Sequence, residues 1–170
     1  MRSKLRNAVD RHYADLYRFA YRMTGSRERA EDAAQEAFLR FARDGAWWDG
    51  ADESARRWLF VVTRNLCIGQ LRRDARENSV PLDKTAELPA PGPGPSEMGE
   101  AAERREWVAQ AVQELPAAMR EVVILREYER LSYIEIASIT GCAVGTVKSR
   151  LARARETLRG RLAKHLEGYA

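Results

Sequence analysis

Between Asn78 and Gly99 lie five of the chain's six prolines, and the heart of that stretch, PAPGPGP, can neither continue a helix nor join a sheet ladder. A chain of 170 residues broken there has to fold as two small units, each large enough to bury a core. Neither unit shows the apolar/polar alternation of strands; both show helical spacing. The expected class is therefore all-α: two small helical domains joined by a flexible Pro/Gly-rich linker, the second holding a helix-turn-helix. The boundaries read as 1–77, 78–100 for the extended and mobile linker, and 101–170.

In the second unit the stretch Leu131 to Arg159, LSYIEIASITGCAVGTVKSRLARARETLR, divides into a short apolar helix, a turn and a longer basic helix. Ser132 stands where an N-cap belongs, and Ile134, Ala137 and Ile139 recur at helical spacing behind it. Gly141 follows the last periodic residue, where a left-handed turn favours a residue without Cβ. In the second piece Val147, Leu151, Ala154 and Leu158 fall on one narrow stripe at about 100° per residue. Ser149 and Arg153 then point away from it, with Thr146 and Arg150 on one flank and Lys148 and Arg155 on the other. This is the plan of a helix-turn-helix, whose second helix enters the major groove. An αα-hairpin with a solvated basic face would look similar. Upstream, Trp107, Val108, Ala111, Val112 and Leu115 mark a helix that Pro116 interrupts, and AAMREVVILREYE forms the next.

The first unit opens with a helix whose apolar face is Tyr13, Leu16, Phe19, Ala20 and Met23. Thr24-Gly25-Ser26 ends it, with Ser26 free to cap the next helix. There Ala30, Ala33, Ala34, Ala37, Phe38 and Phe41 face inward, and Glu28, Glu31, Asp32, Gln35 and Glu36 make an outer surface that is mostly acidic. Acidic residues near a helix start also suit the macrodipole. Asp44 to Glu53 reads as a loop with two glycines carrying Trp47-Trp48, which either stack on an unpaired base or cover the edge of the neighbouring helices, the second reading being the one preferred. Ser54 is expected to cap a third helix that buries Leu59, Val62, Leu66 and Cys67. Its positive side holds Arg56, Arg57, Arg64, Asn65, Arg72, Arg73 and Arg76, with Trp58 among them. Aromatic and amide groups set among arginines suit a surface that grips a strand by phosphate and by base.

Charge follows the same division. The net +4 is spread as +4 over residues 1–77, −3 over 78–106, −2 over 107–142 and +5 over 143–170. Two separated basic regions are what two nucleic-acid contacts on one chain require, because phosphates are neutralised by clustered Lys and Arg. Cys67 and Cys142 sit apart without CxxC or Cys/His grouping, and His12 and His165 lie near opposite ends, so neither a disulfide nor a metal site is expected. With 32% charged residues, no long apolar run and a basic N-terminus lacking a signal peptide's apolar core, the chain reads as cytoplasmic, without membrane insertion.

Taken in order, LYRFAYRMTGSRERAEDAAQEAFLRFAR, RRWLFVVTRNLCIGQLRR, the Pro-rich linker and the long helix-turn-helix segment resemble a bacterial extracytoplasmic-function (ECF) sigma factor. The resemblance runs from about Asp10 to Leu166, and AEDAAQEAF and VGTVKSRLARAR are its most specific parts. It implies that Asp32, Gln35, Glu36 and Leu39 dock on core RNA polymerase. It also implies that Trp58, Arg64, Asn65, Arg72 and Arg73 engage the minus-ten element of promoter DNA as it melts. On the last helix Lys148, Ser149, Ala152 and Arg153 would face the minus-thirty-five duplex, while Thr146, Arg150 and Arg155 hold phosphates. An anti-sigma factor is implied as a further partner, with no cofactor. Ala143 departs from the family pattern by leaving the last helix without a side-chain N-cap, and Ala152 offers a base only its methyl group.

Two other classes remain to be weighed. A stand-alone helix-turn-helix regulator would bind operators unaided as a dimer, and the first unit gives it nothing to do. A nucleic-acid enzyme would need clustered carboxylates or an activated nucleophile. Asp32 and Glu36 lie one helical turn apart but have no third ligand nearby, so no catalytic residue is assigned.

Overall fold

The computed structural model describes residues 2–44, 48, 51–77 and 99–167. Among them it forms seven α-helices and one π-helical turn, with no strand. The proline-rich segment and Trp47 lie outside the described residues.

Helices α1 (Arg2–Thr24), α2 (Arg27–Asp44) and α3 (Asp52–Glu77) pack on one another. On α1 the expected stripe is buried at Leu16, Phe19, Ala20 and Met23, with Tyr13 half-buried at its edge. Gly25 ends this helix at φ 70°, and its N–H donates to the Tyr21 carbonyl at 2.8 Å, a left-handed close that any Cβ would strain. Ser26 Oγ accepts from the Arg29 N–H at 3.4 Å, the cap expected of it. On α2 the buried alanines 30, 33, 34 and 37 keep the helix surface low, so α1 and α3 approach closely. Helix α3 starts three residues earlier than a Ser54 cap would have it, at Asp52. Ser54 therefore sits inside the first turn, and acidic residues suited to the macrodipole, Asp52 and Glu53, precede it. Leu59 and Cys67 are buried as expected, whereas Val62 and Leu66 are half-buried, and Phe60 and Thr63 take the remaining core positions.

The second group comprises α4 (Gly99–Gln113), α5 (Ala117–Val123), a π-helical turn (Ile124–Tyr128), α6 (Tyr133–Thr140) and α7 (Val144–Glu167). Helix α5 is touched by α1, α3, α4, α6 and α7, and Glu121 to Leu125 are all buried. Ahead of them Ala118 is exposed and Ala117, Met119 and Arg120 are half-buried, so burial deepens along α5. The sequence pattern gives no sign that the α-helix widens after Val123. There the Glu129 N–H reaches the Ile124 carbonyl at 3.2 Å, and Arg130 closes the turn at φ 56°.

On α6 the apolar stripe differs from the expected one. Ile136, Ile139 and Thr140 are buried, and Ile134 is 74% exposed. With Ile136 fixed inward, Ile134 lies about 200° away around the helix and must face solvent. Ser132 caps α6 as expected, in a reciprocal capping box with Glu135, and Gly141 at φ 69° ends it.

The two groups also pack together. The Arg22 and Met23 carbonyls at the end of α1, left without helical partners, accept from the second group, and the Tyr21 carbonyl, already bonded to Gly25, accepts there a second time. The Gln113 amide donates to Tyr21 at 3.4 Å and also to Arg22, and Arg120 donates to Met23. Arg22 lies over the Tyr128 ring at 4.1 Å, and α6 rests against α3.

Candidate nucleic-acid interface

The basic edge of the second group begins with the capped α6 and the Gly141 turn, which aim α7. Val147, Leu151 and Ala154 are buried and fix the rotation of α7 about its axis. Lys148, Ser149, Ala152 and Arg153 consequently lie exposed on the outer face, while Thr146 and Arg150 are half-buried on its flank. Ser149 Oγ donates to the Thr146 carbonyl at 3.0 Å, a local bond on the exposed side of the helix. Arg155 Nη2 donates to Glu127 Oε1 at 2.6 Å, on the surface.

Across the molecule, α3 carries the second basic surface. Asn65, Arg72 and Arg73 are exposed, and Trp58 is half-buried with its ring 5.4 Å from that of Phe41. Trp48, the one described member of the pair, packs on Phe41 at 5.2 Å and donates to the Ala51 carbonyl at 2.8 Å, so it covers the helix edge as preferred. Arg64 does not stand clear. Its Nε and Nη2 donate to the two carboxylate oxygens of Glu121, at 2.7 and 3.1 Å, and its Nη1 donates to Asn65 Oδ1 at 3.1 Å. Glu121 Oε1 also accepts from Arg150 Nη1 at 3.4 Å. One buried carboxylate thus joins two arginines that the sequence assigns to different DNA contacts. Sequence reasoning missed Glu121; the available signal was a lone acid inside the apolar run MREVVIL.

A third surface lies on α2. Asp32 and Gln35 are exposed, Glu36 is half-buried, and all three share a face with Leu39, which is 66% exposed. Glu36 Oε1 accepts from Arg40 Nε at 2.7 Å, one turn on. Leu39 is thus a large apolar side chain exposed at the end of a polar face that is mostly acidic.

Two titrating carboxyls brace the frame. Asp52 accepts from the buried His12 Nε2 at 3.0 Å and pairs with Arg11 at 3.3 Å. Burial opposes its ionisation, but the His12 and Arg11 contacts outweigh that and hold its carboxyl below the usual range. Glu129, facing α1 with Arg22 at 3.9 Å, is pushed up by burial and by Asp15, against the pull of Arg22, Arg56 and Arg18. The Cys67 thiol is raised by burial to about 12, which makes it an inert core group. Cys142, half-buried in the helix-turn-helix turn, has its Sγ 3.1 Å from Thr140 Oγ1. Among the described residues no three His, Cys, Asp or Glu side chains gather as metal ligands, and no helix is long and apolar enough to cross a membrane.

Two family models match the chain, Sigma-70 region 2 over residues 8–77 and Sigma-70, region 4 over residues 105–158. The ECF RNA polymerase sigma factor SigE of Mycolicibacterium smegmatis is 37% identical over 92% of this chain, which spans 61% of that relative's length. SigL of Mycobacterium tuberculosis, another ECF RNA polymerase sigma factor, is 37% identical over 91% of this chain and 86% of its own. Among solved structures, the sigma factor RpoE of Bartonella quintana, crystallised with the anti-sigma factor NepR, covers 93% of this chain and 96% of its own. It aligns at a TM-score of 0.68 and 29% identity. CnrH, crystallised with the cytosolic domain of CnrY, shares the fold at a TM-score of 0.66 and 24% identity, over 94% of this chain and 88% of its own.

Proposed function

Because the chain belongs to the ECF RNA polymerase sigma factors, we propose that it binds core RNA polymerase and directs it to a promoter, dividing recognition between its two helical groups. Residues 1–77 serve as the core-binding and minus-ten unit, 78–100 as the linker and 101–170 as the minus-thirty-five unit. The observation that carries this reading is the order of three surfaces on one chain: the α2 ridge, the basic α3 and the exposed edge of α7.

Each surface has a chemistry suited to one task. Asp32, Gln35 and Glu36 offer hydrogen bonds and negative charge around Leu39, which supplies the apolar contact to polymerase. Trp58 and Asn65 suit an unstacked base, and Arg64, Arg72 and Arg73 suit the phosphates beside it. Lys148, Ser149 and Arg153 can read base edges in the major groove, Ala152 adds a methyl contact, and Thr146, Arg150 and Arg155 fix the helix on the backbone. The chain itself carries out no covalent step; it acts in the cytoplasm as a specificity subunit.

An anti-sigma protein is the further partner, on the strength of the solved relative held by NepR. A stand-alone regulator has no use for the α2 ridge. Mixing purified core RNA polymerase with the chain tests this on the ridge itself. Leu39→Asp should weaken association by about tenfold or more, as loss of an interface anchor does, with helix content unchanged. Unaltered association of both Leu39→Asp and Asp32→Arg would contradict the assignment.

A further inference from the structure

We propose that Glu121 acts as an internal surrogate for a DNA phosphate, latching the free chain in a closed arrangement that withholds Arg64 from promoter DNA. The proposal rests on the reading of α3 as the minus-ten surface.

Three observations converge on it. Glu121 is fully buried on the central α5, yet both its oxygens are engaged by the Arg64 fork from the other helical group. That planar, bidentate geometry is the one by which a guanidinium holds a phosphate, so carboxylate and phosphate compete for the same donors. Secondly, the contact does not stand alone. Trp58, Arg57, Val61 and Ser54 of α3 face Ser138 of α6 across a cleft of about 360 Å³, so the base-stacking ring and its neighbours turn towards the second group. Gln113 and Arg120 close the same seam at the end of α1. Asn65, Arg72 and Arg73 of α3 and Lys148, Ser149, Ala152 and Arg153 of α7 stay exposed, so closure withholds Arg64 at the seam and leaves the outer parts of both basic surfaces in solvent.

The third observation is Arg150, on the same side of the seam as Glu121 and 3.4 Å from Oε1. A buried carboxylate stripped of its only partner would oppose opening strongly. Here Arg150 remains when Arg64 leaves, so Glu121 keeps a counter-charge and the latch can reopen. Opening then exchanges a carboxylate for a phosphate at Arg64, which promoter DNA held by polymerase can supply.

The test compares the full wild-type chain with Glu121→Gln, which removes the surrogate charge, and Gln113→Ala, which loosens the seam away from any buried charge. Small-angle scattering reads closure, and fluorescence anisotropy reads binding to a labelled single-stranded oligodeoxynucleotide of mixed sequence. The wild type should scatter as the closed body and bind weakly. Glu121→Gln should expand and bind at least about fivefold tighter, with Gln113→Ala changing in the same direction by less. A wild type already open, variants of unchanged size, or variants that open without binding tighter would each overturn the latch. Run-off transcription by wild type with core polymerase is read in parallel. Its absence would strike the proposed function, whereas the scattering comparison judges the latch by itself.

Discussion

Arg153 and Arg155 stand two residues apart on α7, both exposed, but alanine should affect them differently. Arg153 lies exposed on the outer edge beside Ser149; the proposed function has it meet base edges there, so Arg153→Ala should cost discrimination of about 1–3 kcal/mol at one promoter position. Arg155 sits on the flank and already pairs with Glu127, as a phosphate-holding side chain can. Arg155→Ala should weaken all duplexes evenly and reduce the salt slope by about one. Titrating duplex variants against the polymerase-bound chain at several salt concentrations separates the two. Glu129 offers a residue-scale test of stability. Its carboxyl is raised above the ordinary 4.5 by burial and Asp15, so ionisation is harder in the folded chain than in the unfolded one. Its contribution is therefore most favourable at low pH and is lost as pH rises through the raised value. Glu129→Gln should melt higher than wild type at neutral pH, and the gain should vanish below the ordinary value of 4.5. A melting series against pH checks both the sign and the window.

Among the elements, the helix-turn-helix was the most legible because its signals are local. Ser132, Glu135 and Gly141 act through their own backbone neighbours, and each does in the structure what its type implies. The alanine face of α2 and the stripe of α7 followed from spacing alone. Ile134 did not, since a helix of eight residues holds too few turns for periodicity to choose between Ile134 and Ile136. The start of α3 at Asp52 was missed because the residue before it is Ala51, whose side chain cannot cap, whereas Ser54 has a side chain that can. The π-helical turn left no sign in the sequence pattern. Ala143 remains the weak point of α7: the Val147 N–H bonds its carbonyl at 3.1 Å, and its side chain can cap nothing. Ala143→Ser should therefore stabilise the chain by up to about 1 kcal/mol, read as a shift in the denaturant midpoint with unchanged slope.

At the scale of the whole molecule, the sequence reading gave two helical units and three functional faces, but not how the units meet. Their seam is built from side chains whose partners lie far along the chain: Arg64 with Glu121, Gln113 with the end of α1, Arg22 with Tyr128. No spacing rule connects such residues, and an arginine that will grip a phosphate looks the same in sequence as one that grips a glutamate. The central claim is that promoter recognition belongs to the chain and polymerase together. Its most direct test is footprinting and run-off transcription on genomic promoter fragments, with and without core RNA polymerase. Protection of both promoter elements and a discrete transcript that appear only when core is present are the predicted result. A free chain that protected a duplex site unaided, with core adding neither protection nor transcript, would contradict it.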